Sequence, residues 1–312
     1  MSGPGDVCVC GGAGFIGSHL VDRLIADGRV VDVVDDLSTG SIANLASARR
    51  TPERLRIQHL DAGAPEFAEF LALRTPRVVY HLALLTPAAT RTAEMLRAAT
   101  LLLGTLEAAR QVGVAKVVVA LPATLWYGEV PARHLPVKEG HRSEPMGVGH
   151  VVARTLVDLL AVYRERHAVE YTAILMGSVY GSRQRPEDGV VAAFASAVAD
   201  RRDPEIHGTG RQTRDFVWID DAVDALAACT ERGGGLAINV GTGVQTSILD
   251  LWALFAPGST RRPRPAPARA GDVQRSALSP TRARIQLGWS PWTPLADGVR
   301  RLSETGPRSP GG

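Results

Sequence analysis

The chain is short of several things, and each shortage excludes something. Three cysteines in 312 residues are too few, and odd in number, for a disulfide framework. A reduced, cytosolic setting is the default expectation. No apolar run reaches the ~18–20 residues of a membrane helix. The segment from Met1 to Asp6 has no basic start followed by an apolar stretch, so the first apolar segment reads as a strand and not as a signal peptide. Charge of one sign is not in excess. The formal net charge is +3, which is far from the basic bias of a nucleic-acid binder. Metal spacing is missing too. His134, His141 and His150 are not compactly spaced, and Cys8-x-Cys10 has no second ligand pair, so buried core thiols and no metal are expected. Lysine is nearly absent, Lys116 and Lys138 being the only two. Any chemistry that requires a lysine has two candidates.

What is present is an ordinary globular composition, 45% hydrophobic and 21% charged, which excludes a mostly disordered chain. The length suits one large α/β domain or two modest ones. The chain opens as strand, turn and helix: Asp6 to Cys10, a glycine loop, then Ser18 to Ala26 with apolar spacing at Leu20, Val21 and Leu24. Further strands are expected at Val30 to Val34, Leu55 to His59, Val78 to Leu82, Val114 to Ala120 and Thr172 to Leu175. Helices are expected at Thr92 to Gln111 and Val148 to His167. This alternation predicts a Rossmann-type doubly wound parallel sheet, covered on both faces. Beyond about residue 180 the pattern weakens. Helices at Glu187 to Asp200 and Asp221 to Thr230, short strands at Phe216 to Trp218 and Ala237 to Val240, a loop at Pro257 to Gly271 and a tail at Gly306 to Gly312 are expected.

Gly11, Gly14 and Gly17 form a GxxGxxG between a strand and a helix. Glycines let the backbone approach a pyrophosphate, and the helix N-terminus supplies amide donors. Asp35, with Asp36 beside it, ends the second strand. A carboxylate there accepts from the adenosine ribose hydroxyls and repels a 2′-phosphate, which favours NAD over NADP. The plain alternative is a structural glycine turn.

GGAGFIGSHL followed by VVDDLSTG resembles the extended short-chain dehydrogenase/reductase family, which includes nucleotide-sugar 4-epimerases, 4,6-dehydratases and decarboxylases. The resemblance continues through Tyr80-His-Leu-Ala83, Gly104-Thr105, Tyr127-Gly128, Val179-Tyr-Gly181 with Arg183-Gln184, Gly208 to Phe216, Asn239 to Gly243, Arg269-Ala-Gly-Asp272 and Leu287-Gly-Trp289. It implies a cofactor set of Gly11, Gly14, Phe15, Ile16, Gly17, Asp35, Asp36, Leu37, Ser38, Thr39, Gly40, Asp61, Ala62, Leu82, Ala83, Leu84 and His150. Asp61 would contact the adenine. A nucleotide diphosphate sugar would meet Ser178, Val191, His207, Gln212, Arg214, Arg269 and Asp272. Arg214 and Arg269 would clamp its diphosphate, as guanidinium forks do. Arg261, Arg262 and Arg264 read as solvated loop charge. The implied organisation is an NAD-binding domain at 1–172, rejoined by 216–244, and a substrate lobe at 173–215 and 245–312. The two helices at Thr92 to Gln111 and Val148 to His167 would form a homodimer's four-helix bundle. Packing on their own sheet is the alternative.

The family carries a tyrosine and, four residues later, a lysine. The tyrosine accepts the sugar hydroxyl's proton, and the lysine lowers the phenol's pKa and holds the nicotinamide ribose. Here the stretch reads Glu144-Pro-Met-Gly-Val-Gly-His150. Met146 stands at the tyrosine position and His150 at the lysine position. No Tyr-x-x-x-Lys occurs anywhere in the chain. A thioether is no general base, and an imidazole is a weaker fixed charge at neutral pH. The family's hydroxyl four residues before the Tyr-Gly tyrosine falls on Ala123, with Thr124 next to it. Leu125 follows where dehydratases continue an acidic pair, which argues against ordinary 4,6-dehydration. Thr124, His150, Tyr127 and His81 remain as proton-transfer candidates. The expectation is an NAD-dependent epimerase/dehydratase-like enzyme with an atypical active site. The alternatives are a pseudoenzyme that binds NAD or a nucleotide sugar without turnover, and an enzyme acting on a different substrate class.

Overall fold

The computed structural model describes residues 6–83, 85, 92–256, 263–269 and 271–305. Its centre is a seven-stranded sheet of β1 (Val7–Cys10), β2 (Val31–Asp35), β3 (Leu55–His59), β4 (Val78–His81), β5 (Lys116–Pro122), β6 (Glu170–Met176) and β11 (Leu236–Val240). The strand order is β11-β6-β5-β4-β1-β2-β3, and every pairing is parallel. The direction of winding reverses between β1 and β4, so the crevice of a doubly wound sheet opens at the ends of these two strands.

The strands are apolar throughout because both faces are covered. Alternation along β1 sends Val7 and Val9 into the core on one face and Cys8 and Cys10 into the core on the other. The three cysteines are buried and free. The first core also takes α1 (Phe15–Ala26), through Leu20, Val21 and Leu24, and α7 (Ile219–Ala228), through Ala222, Val223 and Leu226. The second takes α2 (Pro65–Arg74), α3 (Thr92–Val112) and α5 (Val148–His167), through residues such as Leu71, Leu102, Leu106, Leu156 and Leu160.

After β6 the chain leaves the sheet. The remaining pieces are β7 (Ser178–Tyr180), α6 (Val190–Ala199), β8 (Glu205–His207), β9 (Thr213–Arg214), β10 (Phe216–Trp218), β12 (Thr246–Ser247), α8 (Ile248–Phe255), β13 (Arg264–Ala266), α9 (Thr281–Leu287) and α10 (Leu295–Thr305). Three small pairings join them: β7 with β10, β9 with β12 and β8 with β13.

Several boundaries differ from the sequence pattern. The second strand runs one residue past Val34, because Asp35 still pairs with His59. The sixth runs from Glu170 to Met176, held on both sides by β5 and β11. The helix expected from Glu187 is two elements, a 3₁₀ turn at Pro186–Asp188 and then α6, separated by Gly189. The helix expected at Asp221 begins two residues earlier, directly off β10. The stretch expected to be loop carries β13, which pairs with β8. α2 went unpredicted; only Phe67 and Leu71 are buried in its ten residues, a weak periodic signal. The expected tail at 306–312 lies outside the described residues.

Candidate active site

The glycine loop is built for close backbone approach. A Cβ on Gly17 would fall 2.1 Å from the Gly11 carbonyl oxygen, and one on Gly11 would meet the Ala83 backbone nitrogen at 3.1 Å. Gly11 also has φ +78°, a left-handed conformation that side chains disfavour. The loop thus lies against the end of β4, and α1 starts immediately after it with Gly14 as N-cap. The first N–H groups of a helix have no intrahelical partner, so those of Phe15, Ile16 and Gly17 are available to an anion. This cradle fits a dinucleotide pyrophosphate.

Asp35 supports the cradle from β2. Its Oδ2 accepts from Ala13 N at 2.8 Å and its Oδ1 from Leu37 N at 2.9 Å. A carboxylate offers about four lone-pair sites, so acceptor capacity remains. Asp36 accepts from Ser38 N and Ser38 Oγ. Asp61, just past β3, accepts from Gly63 N at 2.9 Å. Asp36, Leu37 and Gly40 are half-buried, Ser38 and Thr39 are exposed, and Ala62 is buried. Leu82 and Ala83 continue from the end of β4 and are half-buried. Leu84 lies outside the described residues.

On the other side of the crevice, β5 runs into α4 (Ala123–Tyr127). Ala123 is buried and Thr124 half-buried. Tyr127 turns away into the core. It is 3% exposed, and its hydroxyl donates to Asn239 Oδ1 at 2.7 Å. Burial, with the Glu139 carboxylate nearby, pushes its phenol well above the usual range. His81 is buried in the sheet, its Nδ1 3.1 Å from Thr105 Oγ1. Neither group stands as an exposed proton carrier.

Met146 and His150 meet just before and within the first turn of α5. Met146 is 46% exposed, and its sulfur accepts from Glu129 N at 3.0 Å. His150 is 7% exposed, and its Nδ1 accepts from Met146 N at 2.7 Å. With Nδ1 accepting, the neutral ring carries its proton on Nε2. Burial, and then the Arg154 charge, lower the imidazole's pKa. His150 is therefore a neutral ring with Nδ1 engaged. It packs so close to the Gly128 turn that a Cβ there would sit 2.8 Å from its Cε1 and 3.4 Å from the Met146 sulfur.

Beyond Met146 opens a cleft of about 450 Å³, lined by Glu129, Met146, Arg211, Asp272, Gln274 and Arg275. The sequence singled out Met146 and Asp272 here. It missed Glu129, which accepts from Gln274 N at 2.6 Å across the cleft, and Arg211, Gln274 and Arg275. The available signal was adjacency, since Arg211 sits inside the Gly208 to Phe216 segment and Gln274 and Arg275 directly follow Asp272. Arg214 donates to the Thr213 carbonyl and pairs tightly with Asp272. Gln212 is buried and donates to the His207 carbonyl, while His207 Nδ1 lies 3.0 Å from the Pro267 carbonyl. Arg269 is exposed. Ser178 bonds the Asp215 carbonyl through its backbone. Val191 is packed into the core of α6. Asp215 pins this region. It accepts from Thr242 N, Thr242 Oγ1, Gly243 N and Leu278 N, which ties the Arg214 segment to the end of β11.

Comparison with known proteins agrees with this architecture. A family model described as the NAD dependent epimerase/dehydratase family matches residues 7–241. A UDP-glucose 4-epimerase of Mycolicibacterium smegmatis is 39% identical over 95% of this chain and 96% of its own length. The UDP-glucose 4-epimerase of Thermotoga maritima, solved with UDP-glucose, superposes with a TM-score of 0.87 at 31% identity over 96% of this chain and 97% of that one. The Thermus thermophilus UDP-glucose 4-epimerase, solved with NAD, gives 0.84 at 30% identity over 96% and 97%. With a parallel sheet, a glycine cradle at its crevice and a match across most of its length, this chain belongs to the NAD-dependent epimerase/dehydratase family.

Proposed function

We propose that this chain is a nucleotide-sugar enzyme of the epimerase/dehydratase type whose proton chemistry does not run through a Tyr–Lys pair. The observation that carries this reading is an asymmetry. The glycine cradle and the Arg214–Asp272 segment are kept, while Met146 and His150 fill the acid–base positions.

In this reading Gly11, Gly14 and Gly17, with the Phe15 and Ile16 amides, hold the pyrophosphate of NAD. Asp35, Asp36 and Leu37 to Gly40 hold the adenosine ribose, Asp61 and Ala62 the adenine, and Leu82 and Ala83 flank the ring system. Residues 173–215 and 245–312 form the substrate lobe. There Arg214 and Arg269 meet the diphosphate, and Ser178, Val191, His207, Gln212 and Asp272 complete the nucleotide's surroundings. Bound NAD supplies reversible oxidation of a sugar carbinol. The chain must orient that carbinol and accept its proton. Thr124, half-buried beside His150, is the hydroxyl placed to do the first. Met146 supplies only apolar surface, because a thioether takes no proton at neutral pH. His150 fixes the Met146 backbone and is a positioning residue.

A specific observation also favours binding without turnover: His150 Nδ1 is taken up by the Met146 amide and burial lowers the imidazole's pKa, so the ring is not the fixed cation that a lysine would supply there. Incubation with UDP-glucose, followed by NMR of the sugar, decides between the readings. Turnover by the parent that is lost in Thr124→Val supports the enzyme. A silent parent made active by the double substitution Met146→Tyr and His150→Lys supports the binder. Association as a homodimer through the exposed faces of α3 and α5 belongs to the same proposal.

A further inference from the structure

The adenosine side of the crevice carries a side chain that no motif indicates. Arg97 lies on α3, seven residues before the Gly104-Thr105 pair. Its Nη2 is 2.8 Å from Asp36 Oδ2 and its Nη1 is 3.0 Å from Asp61 Oδ2. The two carboxylates come from different, neighbouring strand ends, one after β2 and the other after β3. One guanidinium fork therefore spans the gap between them.

We propose that Arg97 is a positioning residue for the adenosine half of the dinucleotide, fixing the Asp36 and Asp61 carboxylates at the spacing the adenosine requires. This rests on the cofactor reading above. In a doubly wound sheet the half of a dinucleotide beyond β1 lies over the ends of β2 and β3. Each carboxylate there is held twice. One Asp36 oxygen accepts from Ser38 N and Oγ, and the other meets Arg97. One Asp61 oxygen accepts from Gly63 N, and the other meets Arg97. The Asp36 oxygen on Arg97 and both Asp61 oxygens each retain a further lone pair for a ligand donor, such as a ribose hydroxyl or the exocyclic amine of adenine.

The charge balance requires such a bridge. Asp35, Asp36 and Asp61 cluster where a ligand with an anionic pyrophosphate must dock. Without a cation, Asp36 and Asp61 repel each other and turn toward water, and the site greets the ligand with uncompensated negative charge. Arg97 offsets that repulsion and freezes both rotamers before the ligand arrives, which lowers the ordering cost of binding. Lysine is a poor substitute, because a point charge cannot hold two carboxylates with a planar fork. The bridge is half-exposed, with Arg97 at 51%. Ion pairs of this kind add little to folding stability, so the role is separable from the fold.

The test is calorimetric titration of nucleotide-free parent, Arg97→Ala and Arg97→Lys with NAD, ADP-ribose and nicotinamide mononucleotide. The expected result is that Arg97→Ala weakens NAD and ADP-ribose equally, by roughly tenfold, the range of a lost charge-assisted contact. Nicotinamide mononucleotide binding stays unchanged, and Arg97→Lys recovers part of the loss. The melting temperature moves by less than about 2 °C, consistent with an exposed pair. A parent that binds NAD and an Arg97→Ala variant within twofold of it, or tighter, overturns this proposal alone. A parent that binds neither NAD nor ADP-ribose overturns the cofactor reading and this proposal with it.

Discussion

At the scale of single residues, His150 decides how the active centre behaves. A lysine four residues after the tyrosine would be a permanent cation; an imidazole here is kept neutral by burial and by Arg154. This has a consequence for stability. Unfolded histidine titrates near 6.5 (about the model-peptide value), and the folded ring titrates lower. On acidification the unfolded chain takes up the proton first, so stability is full above that value and is lost as pH falls through the folded value. His19, half-buried on α1, is shifted the same way by desolvation. Chemical denaturation at pH 7.5 and pH 5.5 should show the parent losing stability at the lower pH. His150→Asn, whose Oδ1 can still accept from Met146 N, should show a smaller loss. An identical pH dependence in the two proteins would mean that His150 is not desolvated in solution. The substitution of His150 for lysine was readable in the sequence. Its capture by Met146 N was not, because that partner is set by the geometry of a loop. The same holds for Arg97. Positions 36, 61 and 97 have no periodic relation, and only the packing of α3 over the strand ends brings them together.

At the scale of elements, five of the twelve exposed large apolar side chains among the described residues fall on two adjacent helices, the others being scattered over elements such as α2, α8 and α9. Leu96 is 65% exposed and Leu103 39% on α3, and Val148, Val151 and Val162 are each about half-exposed or more on α5. These helices pack together over one face of the sheet. Leu96 and Leu103 are seven residues apart, two turns of helix, so they lie on one side. Their buried counterparts, among them Ala98, Leu102 and Leu106, serve the chain's own core. Each helix therefore carries apolar residues on two faces, more than a solvated surface helix requires. A second copy presenting the same faces would cover them. The double substitution Leu96→Glu and Val151→Glu should turn a dimer into a folded monomer, as read by light scattering coupled to gel filtration. A parent that is already monomeric at tens of micromolar removes the dimer. The sequence showed wide apolar faces on both helices but not which residues were left over, since burial on the home sheet is a tertiary property. Elements off the main sheet were the hardest to foresee. β7, β9, β12 and β13 are two or three residues long, too short for any period to register.

At the scale of the whole molecule, one core runs from the sheet into the region beyond β6. Val7 and Val9 of β1 belong to the same cluster as Phe194 of α6 and Trp252 and Phe255 of α8. Phe194 stacks edge-on against both of these rings. The chain returns to the sheet at β11 after forming β10 and α7, and Asp215 locks that return to Leu278. A molecule connected in this way should unfold in a single transition, so a ligand at either site stabilises all of it. NAD at a hundred times its dissociation constant should contribute about 2.7 kcal/mol, which for a chain of this size raises the melting temperature by roughly 3–5 °C. UDP at the same excess should do likewise. Gly17→Ala, whose new methyl collides with the Gly11 carbonyl, should lower the baseline by about 1–3 kcal/mol and abolish the NAD shift while keeping the UDP shift. Arg269→Ala should do the reverse from an unchanged baseline. Differential scanning fluorimetry of the three proteins with each ligand reads all of this. If Gly17→Ala removes both shifts, the loop supports the fold at large and the two sites are not separable. If Arg269→Ala leaves the UDP shift intact, the diphosphate is held elsewhere, and the cleft arginines Arg211 and Arg275 become the groups to change next.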